Sequence, residues 1–440
     1  MQRLIMAELE QWRLSENRKP LLIQGARQVG KTWLMKAFGK AAFEQVAYIN
    51  FESSSRLQTV FQSDFDIQRI LATFEIETGI SINAATTLLI FDEIQEAEKG
   101  LTALKYFQEN APHYFVVAAG SLLGVSLQKN HTFPVGKVDM LQLHPLSFEE
   151  FLLNLNEVQL LRSLKACKWD VLAPFHEKLM AYLRLYYFTG GMPEAVQTYL
   201  QTKNLQAVRT VQQNIITGYE NDFAKYAPVA IVPKIRMVWQ AVLGQLSKEN
   251  KKFIYGQLKK SARAKEFEDA INWLVHAGLL VKCMKVEKPV IPLASYADMD
   301  AFKLFMCDVG LLNAMADLNE QLLLNKNQIL VEFKGALTEQ FVCQQLILKA
   351  ELYYWSAANA TAEIDFVIQQ GLHVVPVEVK AEENLKSKSL KVYSGKFHPP
   401  LAVRTSMSFY RKETWMVNIP LYAIFLINES PEADALRALS

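Results

Sequence analysis

Eight consecutive residues near the amino terminus have the types and spacing needed to bind phosphate. Residues 25–32 fit the pattern G-x-x-x-x-G-K-[ST] of a P-loop. Its glycines let backbone N–H groups close around phosphates, while the helix that follows adds positive potential at its amino terminus. Lys31 is expected to reach the β and γ phosphates as a catalytic residue, and Thr32 to ligate Mg²⁺. The predicted ATP-binding residues here are Gly25, Ala26, Arg27, Gln28, Val29, Gly30, Lys31 and Thr32.

Two adjacent acids, Asp92 and Glu93, follow sixty residues after Thr32, at the end of the apolar run TTLLIF. At this position Asp92 is expected to hold the magnesium shell, and Glu93 to orient and polarise the attacking water. The alternative is an ordinary solvated strand end. The next apolar run, YFVVAAGS, ends on Ser121, which is predicted to contact the γ-phosphate or the water.

A cation that neutralises charge in the transition state, the arginine finger, has two candidates in this region. Lys137 lies in FPVGKVDM, and Arg27 lies inside the loop itself. A surface lysine and a surface salt bridge are the respective alternatives, so the pattern leaves the finger unassigned.

The elements that must position these residues follow from hydrophobic periodicity. Apolar runs typical of buried strands alternate with helical patterns from Pro20 to about Ser147, which predicts an α/β fold with a parallel sheet covered on both faces. The pattern then turns helical, next takes the helix and strand order of a winged helix, and finally returns to mixed α/β. We expect a P-loop core at 1–150, a helical lid at 151–232, a winged-helix region at 233–325 and a smaller α/β domain at 326–440.

Composition narrows the class of protein. A chain of 440 residues is long enough for two or three domains, and a net charge of +2 indicates neither a nucleic-acid coat nor a polybasic membrane surface. The four cysteines, Cys167, Cys283, Cys307 and Cys343, lie far apart, as expected for reduced thiols in a cytoplasmic protein. No apolar run approaches the ~20 residues that span a bilayer, so we expect no membrane anchor.

Four charged residues near the carboxy terminus form a second candidate site. Glu339 is predicted on a helix, Asp365 on a strand, and Glu378 with Lys380 on one face of the next strand. The three carboxylates are expected to ligate Mg²⁺, while the lysine positions water or stabilises a pentavalent phosphate. Glu-x-Lys on a strand is also common as an ion pair without chemistry. A metal ion or Lys380 is the expected partner of Asp365.

Five segments resemble, in this order, a family of bacterial and archaeal AAA-type ATPases whose members carry a carboxy-terminal domain of unknown function 4143. These segments are GARQVGKT, LLIFDEIQ, AAGS, LHPLSFEEF and GGMPEAV. The resemblance implies an AAA-like core, a helical lid, a winged helix and a restriction-endonuclease-like tail, where the four charged residues resemble a PD-(D/E)xK nuclease. The family often shows Gly-Arg where this chain has Gly136-Lys137, and lysine lacks the planar fork of arginine.

These observations leave two functions open. One is an ATPase that hydrolyses ATP with Mg²⁺ to move its winged helix and tail, with metal-dependent cleavage of DNA or RNA by the tail as an extension. The other is an ATP-gated switch or scaffold whose inactive tail binds partners. The helix RAKEFEDAINWLVHAGLL lacks a basic face, which favours a protein partner or an interdomain contact there. A modest basic excess at 371–415 could face the phosphates of a nucleic acid, and a solvated surface is the alternative. A homo-oligomer is a further hypothesis.

Overall fold

The computed structural model describes residues 1–120, 134, 136–248, 252–260, 262–318, 331–358, 362–382 and 387–429. Contacts within the chain define two units. The amino-terminal unit contains residues 2–144 together with 276–278, and the carboxy-terminal unit contains 145–275 and the described residues from 279 onward. Over these described stretches, we find no helix with the length and apolarity needed to cross a membrane.

A five-stranded parallel sheet forms the centre of the amino-terminal unit, in the order β2-β3-β4-β1-β5. The strands are Leu21–Gln24 (β1), Gln45–Asn50 (β2), Thr87–Asp92 (β3), Phe115–Ala119 (β4) and Asp139–Gln142 (β5). The helices are Met6–Leu14 (α1), Lys31–Ala42 (α2), Ser55–Gln58 (α3), Ile67–Thr78 (α4) and Gly100–Asn110 (α5), with a 3-10 turn at Ile94–Glu96. The predicted α/β class is confirmed.

The strand order brings the two nucleotide motifs to one edge of this sheet. Carboxyl ends of parallel strands lie at the same edge, and the loops after β1 and β3 carry the P-loop and Asp92. Strand β3 is buried along its whole length. Its Phe91 packs 5.4 Å from Phe74 and 5.5 Å from Phe107 between ring centroids. This aromatic packing fixes the backbone directly before Asp92.

Helices predominate between strand β5 and residue 279, and further helices lie between the later strands. The helices that follow α5 are Phe148–Asn154 (α6), Val158–Lys165 (α7), Trp169–Leu172 (α8), His176–Thr189 (α9), Pro193–Thr202 (α10), Leu205–Tyr226 (α11), Val232–Leu246 (α12), Ala264–His276 (α13), Val309–Met315 (α14), Val331–Leu346 (α15) and Lys388–Phe397 (α16). Short 3-10 segments lie at Ala173–Phe175, Val229–Ile231, Tyr255–Gln257, Leu293–Tyr296 and Leu421–Glu429. In the segment IYGQLKKSA, the described residues form the 3-10 turn Tyr255–Gln257.

The carboxy-terminal unit contains a mixed eight-stranded sheet in the order β12-β13-β11-β10-β9-β8-β6-β7. Its strands are Leu280–Val286 (β6), Ala297–Met306 (β7), Tyr353–Ser356 (β8), Glu363–Gln370 (β9), His373–Val379 (β10), Val403–Ser406 (β11), Arg411–Lys412 (β12) and Val417–Pro420 (β13). Strand β6 pairs in parallel with β8. The strands expected in a winged-helix region therefore continue the sheet of the tail. The bounds of the four sequence-based regions and the winged-helix assignment stay predictions.

The segment PLSFEEF, one of those that carry the family resemblance, forms the start of α6. Ser147 accepts a hydrogen bond from the backbone N–H of Glu150 at 3.1 Å, and the Glu150 carboxylate accepts one from the Ser147 N–H at 3.0 Å. This reciprocal pair is a capping box, which satisfies donors that a helix start otherwise leaves open. The Phe148 N–H donates to the Gln345 side chain at 2.8 Å. The segment therefore stabilises the fold.

The Gly-Gly turn of GGMPEAV meets that segment. The Leu146 N–H donates to the Gly191 carbonyl at 2.6 Å. A Cβ atom at Gly191 would lie 2.0 Å from the Leu146 carbonyl oxygen, and one at Gly190 would lie 2.1 Å from Oδ1 of Asp308. The buried Asp308 carboxylate accepts hydrogen bonds from the Gly191 N–H at 2.6 Å and from Gln344 Nε2 at 3.0 Å. The close approach of the Leu146 backbone to Gly191, and of the Asp308 carboxylate to Gly190, thus requires both glycines.

Substituting Gly191 by alanine is expected to destabilise the carboxy-terminal unit. The new methyl group meets backbone that cannot move without breaking the hydrogen bond between Leu146 and Gly191, so we expect a loss of about 3 kcal/mol in the free energy of unfolding. The measurement is the midpoint of urea unfolding.

Gly244→Ala is the matched control for this steric effect. Gly244 lies in α12, and a Cβ added there would meet no described atom within 4 Å. Alanine at this helical position should raise stability by about 0.5–1 kcal/mol. Equal midpoints for the two variants would contradict the steric argument.

Candidate phosphate-binding site and the carboxy-terminal acid cluster

The P-loop runs from the end of β1 into α2 through two residues with positive φ. Gln28 has φ of 65°, and Gly30, directly before the helix, has φ of 92°. A Cβ at Gly25 would lie 2.3 Å from the Leu143 carbonyl oxygen, at the end of β5. Glycine at the first position of the motif is therefore required for packing as well as for phosphate approach.

Lys31 is almost fully buried beside this loop. Its ammonium donates to the carbonyl oxygens of Gly25 at 3.0 Å and Ala26 at 2.9 Å. Burial lowers the pKa of Lys31 to about 8, although the charges of Glu93 and Asp92 oppose that change. Phosphate oxygens are stronger acceptors than carbonyl oxygens, so the ammonium is positioned to gain from an anionic ligand.

Asp92 connects the P-loop helix to the end of β3. Its Oδ2 accepts hydrogen bonds from Thr32 Oγ1 at 2.7 Å and from Tyr48 OH at 2.8 Å, and its side chain is buried. Burial and the bond to Asp92 raise the pKa of Tyr48, so this hydroxyl stays a donor. Thr32 and Asp92 thus place a hydroxyl and a carboxylate oxygen together, the donor set that Mg²⁺ prefers.

Tyr48 was not predicted from the sequence. It lies on β2 two residues before Asn50, which is paired in register with Asp92. Its ring also receives the Lys36 ammonium at 3.6 Å from the centroid. The sequence indicated only that QVAYIN is a strand of this sheet. It did not indicate that this strand pairs with β3, which is what brings Tyr48 to Asp92.

Glu93 adopts a left-handed backbone conformation with φ of 50° immediately after β3. Non-glycine residues seldom take this conformation, and it often marks functional sites. The half-buried carboxylate accepts a hydrogen bond from Gln95 Nε2 at 2.5 Å. The charge of Glu93 raises the pKa of Lys31 more than that of Asp92 does. Lys31, Asp92 and Glu93 therefore belong to one electrostatic site.

The remaining predicted residues of this site divide into three cases. Arg27 is half-buried, and its charge lowers the pKa of Lys31, which places it near the loop lysine. Lys137 forms an ion pair with Glu109 of α5 at 2.9 Å, the surface role given as its alternative. Ser121 lies outside the described residues. The structure assigns no arginine finger within the part of the chain that it describes.

Arg3 contacts the P-loop and was missed by sequence reasoning. Its guanidinium donates to the carbonyl of Val29 at 3.1 Å and to that of His144 at 2.7 Å, and the side chain is buried. Burial, with the Arg3 charge adding to it, lowers the pKa of His144 to about 4, so that imidazole is neutral. The amino-terminal segment thus stabilises the backbone of the P-loop.

The carboxy-terminal acids are arranged around a lysine from another strand. The Lys303 ammonium of β7 lies 2.6 Å from Glu363 Oε1, 3.8 Å from Glu339 Oε2 and 4.0 Å from Asp365 Oδ1. Asp365 also accepts a hydrogen bond from the Val379 N–H at 2.7 Å. The expectation that a metal ion or Lys380 partners Asp365 stays a prediction. Lys303 and a backbone amide are the Asp365 partners seen in the structure.

The predicted magnesium ligands Glu339, Asp365 and Glu378 do not form one metal-binding group. Lys380 lies 3.3 Å from Glu378 Oε1, as in the ion-pair alternative. Among the residues that the structure describes, no group of three or more His, Cys, Asp or Glu side chains is arranged to hold a metal ion. The roles of Lys380 in catalysis and of the three acids in metal binding stay predictions without geometric support.

One member of the basic excess at 371–415 is unavailable to phosphate. Arg404 is 1% exposed and donates to Asn418 Oδ1 at 2.9 Å and to Ser387 Oγ at 3.1 Å. A guanidinium engaged inside the sheet contributes nothing to a nucleic-acid surface. Counting charges along the sequence overestimates the basic face for this reason.

Comparison with known families matches three models along the chain. An AAA domain matches residues 17–152, a domain of unknown function (DUF8612) matches 180–322, and a domain of unknown function (DUF4143) matches 334–424. Comparison with curated proteins found no significant relative.

Comparison with solved structures matches, among others, a Walker-type ATPase of Pyrococcus abyssi. That structure is 14% identical with a TM-score of 0.43, covering 71% of this chain and 94% of its own. The Orc1 protein of Aeropyrum pernix, solved with DNA, is 10% identical with a TM-score of 0.29, covering 72% and 93%. Cdc6p of Pyrobaculum aerophilum is 10% identical with a TM-score of 0.26, covering 75% and 96%.

The parallel sheet, the P-loop and the AAA match define the class of this protein as an AAA-type ATP-binding protein. The chain carries a domain of unknown function 4143 on its carboxy-terminal side, which confirms the family resemblance drawn from the sequence. The restriction-endonuclease-like character of that domain stays a prediction.

ATP binding is expected to weaken above pH 8 because Lys31 then loses its proton. The ammonium is the form that attracts phosphate, so affinity is fully present below pH 8 and falls by up to about tenfold per pH unit above it. The measurement is titration with a fluorescent ATP analogue from pH 7.5 to 9.5.

The control for this pH dependence is Lys31→Arg. A guanidinium stays charged over the whole range, so this variant should show a flat profile even if its affinity is lower. A flat profile for the unsubstituted protein, or the same fall in both proteins, would assign the pH dependence to another group.

Proposed function

We propose that this protein hydrolyses ATP at the site formed by Lys31, Thr32, Asp92 and Glu93. The observation that carries the proposal is the 2.7 Å hydrogen bond between Thr32 Oγ1 and Asp92 Oδ2, which joins the P-loop helix to the end of β3. These two oxygens would hold Mg²⁺, which when bound neutralises charge on the phosphate oxygens.

The side chains of this site have separate roles in the proposed reaction. The buried Lys31 side chain places its positive charge at the phosphate end of the loop. Glu93 accepts a proton from the attacking water and orients it, because its carboxylate is half-exposed beside the buried Asp92. Tyr48 donates to Asp92 and keeps that carboxylate in one orientation. The backbone around the phosphates is supplied by Gly25, Ala26, Arg27, Gln28, Val29 and Gly30.

Replacing Glu93 by glutamine should abolish hydrolysis while leaving ATP binding in place. The amide keeps the shape of the side chain but cannot accept the water proton, so we expect kcat to fall about 100-fold or more with an unchanged Kd for ATP. Steady-state phosphate release and ATP titration measure the two quantities. Glu98→Gln is the control, since Glu98 is exposed five residues further along the chain. Parental hydrolysis by Glu93→Gln would remove this residue from the mechanism.

For the carboxy-terminal unit, we propose that ATP hydrolysis times a conformational state in which this unit binds a partner. The observation that favours partner binding over metal-dependent cleavage is the position of Lys303 among Glu339, Glu363 and Asp365. Cleavage of DNA or RNA by the tail remains the second hypothesis, for which Lys380 beside Glu378 is the supporting feature. Assembly of several copies around the ATP site also remains a hypothesis.

Incubation with DNA or RNA and Mn²⁺ or Mg²⁺ separates the two roles of the tail. The partner-binding role predicts no metal-dependent cutting by the parental protein, with or without ATP, measured on labelled single-stranded and double-stranded substrates. Asp365→Ala is the matched comparison. Cutting that depends on metal and is lost in Asp365→Ala would establish the nuclease role instead, and it would leave the assignment of Glu93 untouched.

A further inference from the structure

Two short segments of the carboxy-terminal unit border an open pocket of about 440 Å³. One segment is the turn from α7 into α8, and the other is the loop between β11 and β12. The lining includes Cys167, Lys168, Trp169, Asp170, Phe409 and Tyr410. A pocket of this size falls in the range of sites for small ligands.

Three aromatic rings among these residues pack on one another. The rings of Trp169 and Tyr410 are parallel to within 2°, with centroids 4.3 Å apart. Phe409 meets Trp169 edge-on at 6.2 Å between centroids. A parallel pair of rings offers a flat face on which a further planar ring can stack.

The loop that carries Phe409 and Tyr410 is held in place by a buried side chain. Asn418 of β13 is fully buried, and its Nδ2 donates to the carbonyl oxygens of Phe409 at 2.9 Å and Ser408 at 3.3 Å. The Phe409 ring also packs on His176, with 5.4 Å between centroids. The aromatic surface is therefore formed before any ligand arrives, which lowers the entropy cost of binding.

Charged side chains of both signs lie beside these rings. Lys168 and Asp170 of the lining are exposed, as are Arg411 and Lys412 of β12, which follows the loop. Arg411 forms an ion pair with Glu413 at 3.5 Å. The ammonium groups of Lys168 and Lys412 form no ion pair with any residue that the structure describes. Both are therefore available to an anion, while the Asp170 carboxylate can accept hydrogen bonds from amino or hydroxyl groups.

We propose that this pocket binds an unpaired nucleotide, with its base stacked on the pair of Trp169 and Tyr410 and its phosphate near Lys168. The inference rests on the proposal above that the carboxy-terminal unit binds a partner, and it specifies the chemistry of that partner. A free nucleotide and a nucleotide within a single strand of DNA or RNA offer the same groups. A base inside a duplex is already stacked and paired. A proline-rich peptide also stacks on aromatic rings, but it brings no anion to the two ammonium groups.

Cys167 provides a local measure of occupancy. The structure describes all four cysteines, and only Cys167, in the pocket lining, is not buried. The uncharged reagent N-ethylmaleimide should therefore modify this thiol first. In the full-length protein, we expect single-stranded oligothymidine of about ten nucleotides to slow the reaction at least about fivefold, and a duplex of the same length to leave its rate unchanged.

Thymidine monophosphate separates the two sources of the nucleotide. Slowing by this probe as well as by oligothymidine supports a site for a free nucleotide. Slowing by oligothymidine alone supports a site for a single strand.

Substitutions in the pocket separate stacking from charge. Trp169→Ala should weaken the binding of labelled oligothymidine at least about tenfold, measured by fluorescence anisotropy, whereas Trp169→Phe should keep most of the affinity. Lys168→Gln should weaken binding less and should reduce its dependence on salt concentration. Trp33→Ala is the control, because Trp33 is 43% exposed, lies in the amino-terminal unit and does not line the pocket.

Three results would overturn the inference. The first is that neither thymidine probe slows the modification of Cys167. This measurement uses the unsubstituted protein and stays decisive if Trp169→Ala fails to fold; slowing by a proline-rich peptide instead would assign the pocket to a protein partner. The second is equal slowing by the duplex. The third is parental affinity of a folded Trp169→Ala protein for oligothymidine.

The proposed functions are tested separately from this pocket. The Glu93→Gln experiment measures ATP hydrolysis and does not depend on the rate of Cys167 modification. Metal-dependent cutting that is lost in Asp365→Ala would remove the partner-binding role of the unit, whereas an unchanged Cys167 rate would remove only the nucleotide pocket.

Discussion

Burying a lysine ammonium costs free energy unless nearby negative charge offsets it, and among the residues that the structure describes two lysines are buried, with opposite changes in pKa. Lys31 lies against the neutral carbonyls of Gly25 and Ala26, and burial lowers its pKa to about 8. Lys303 lies among three carboxylates, which raise its pKa. The first lysine is incompletely compensated and gains from an anionic ligand. The second has its anions inside the fold and needs no ligand.

In the amino-terminal unit, the nearby carboxylate Asp92 is bound by other groups and does not pair with the Lys31 ammonium. The parallel sheet brings the ends of β1 and β3 to one edge, and Asp92 is held there by the hydroxyls of Thr32 and Tyr48. Lys31 donates instead to backbone carbonyls of its own loop. The aromatic rings around Phe91 make the strand before Asp92 rigid. A poised cation next to fixed oxygen donors is the arrangement that phosphate binding with Mg²⁺ requires.

In the carboxy-terminal unit, the segments most characteristic of the family contribute packing and hydrogen bonding. Ser147 and Glu150 cap a helix, and the Gly191 backbone lies against Leu146 and Asp308. Buried polar groups need partners with little tolerance for change, which explains why such specific residue types occur at these turns. The family-specific segments therefore contribute to the fold, whereas the proposed chemistry depends on short motifs.

Local patterns in the sequence determined the P-loop, the acidic strand end and the α/β class, because each depends on neighbouring residues or on regular periodicity. Ser147 as a helix cap is local in the same way. The short edge strand β5 lacks the pattern of a buried strand, since only half of its residues are even partly buried. Tertiary structure alone decided that Arg3 supports Val29, that Tyr48 holds Asp92, and that Lys303 reaches Glu363. Contacts between residues so far apart in the chain depend on strand order and register, which the spacing of residues along the sequence does not encode.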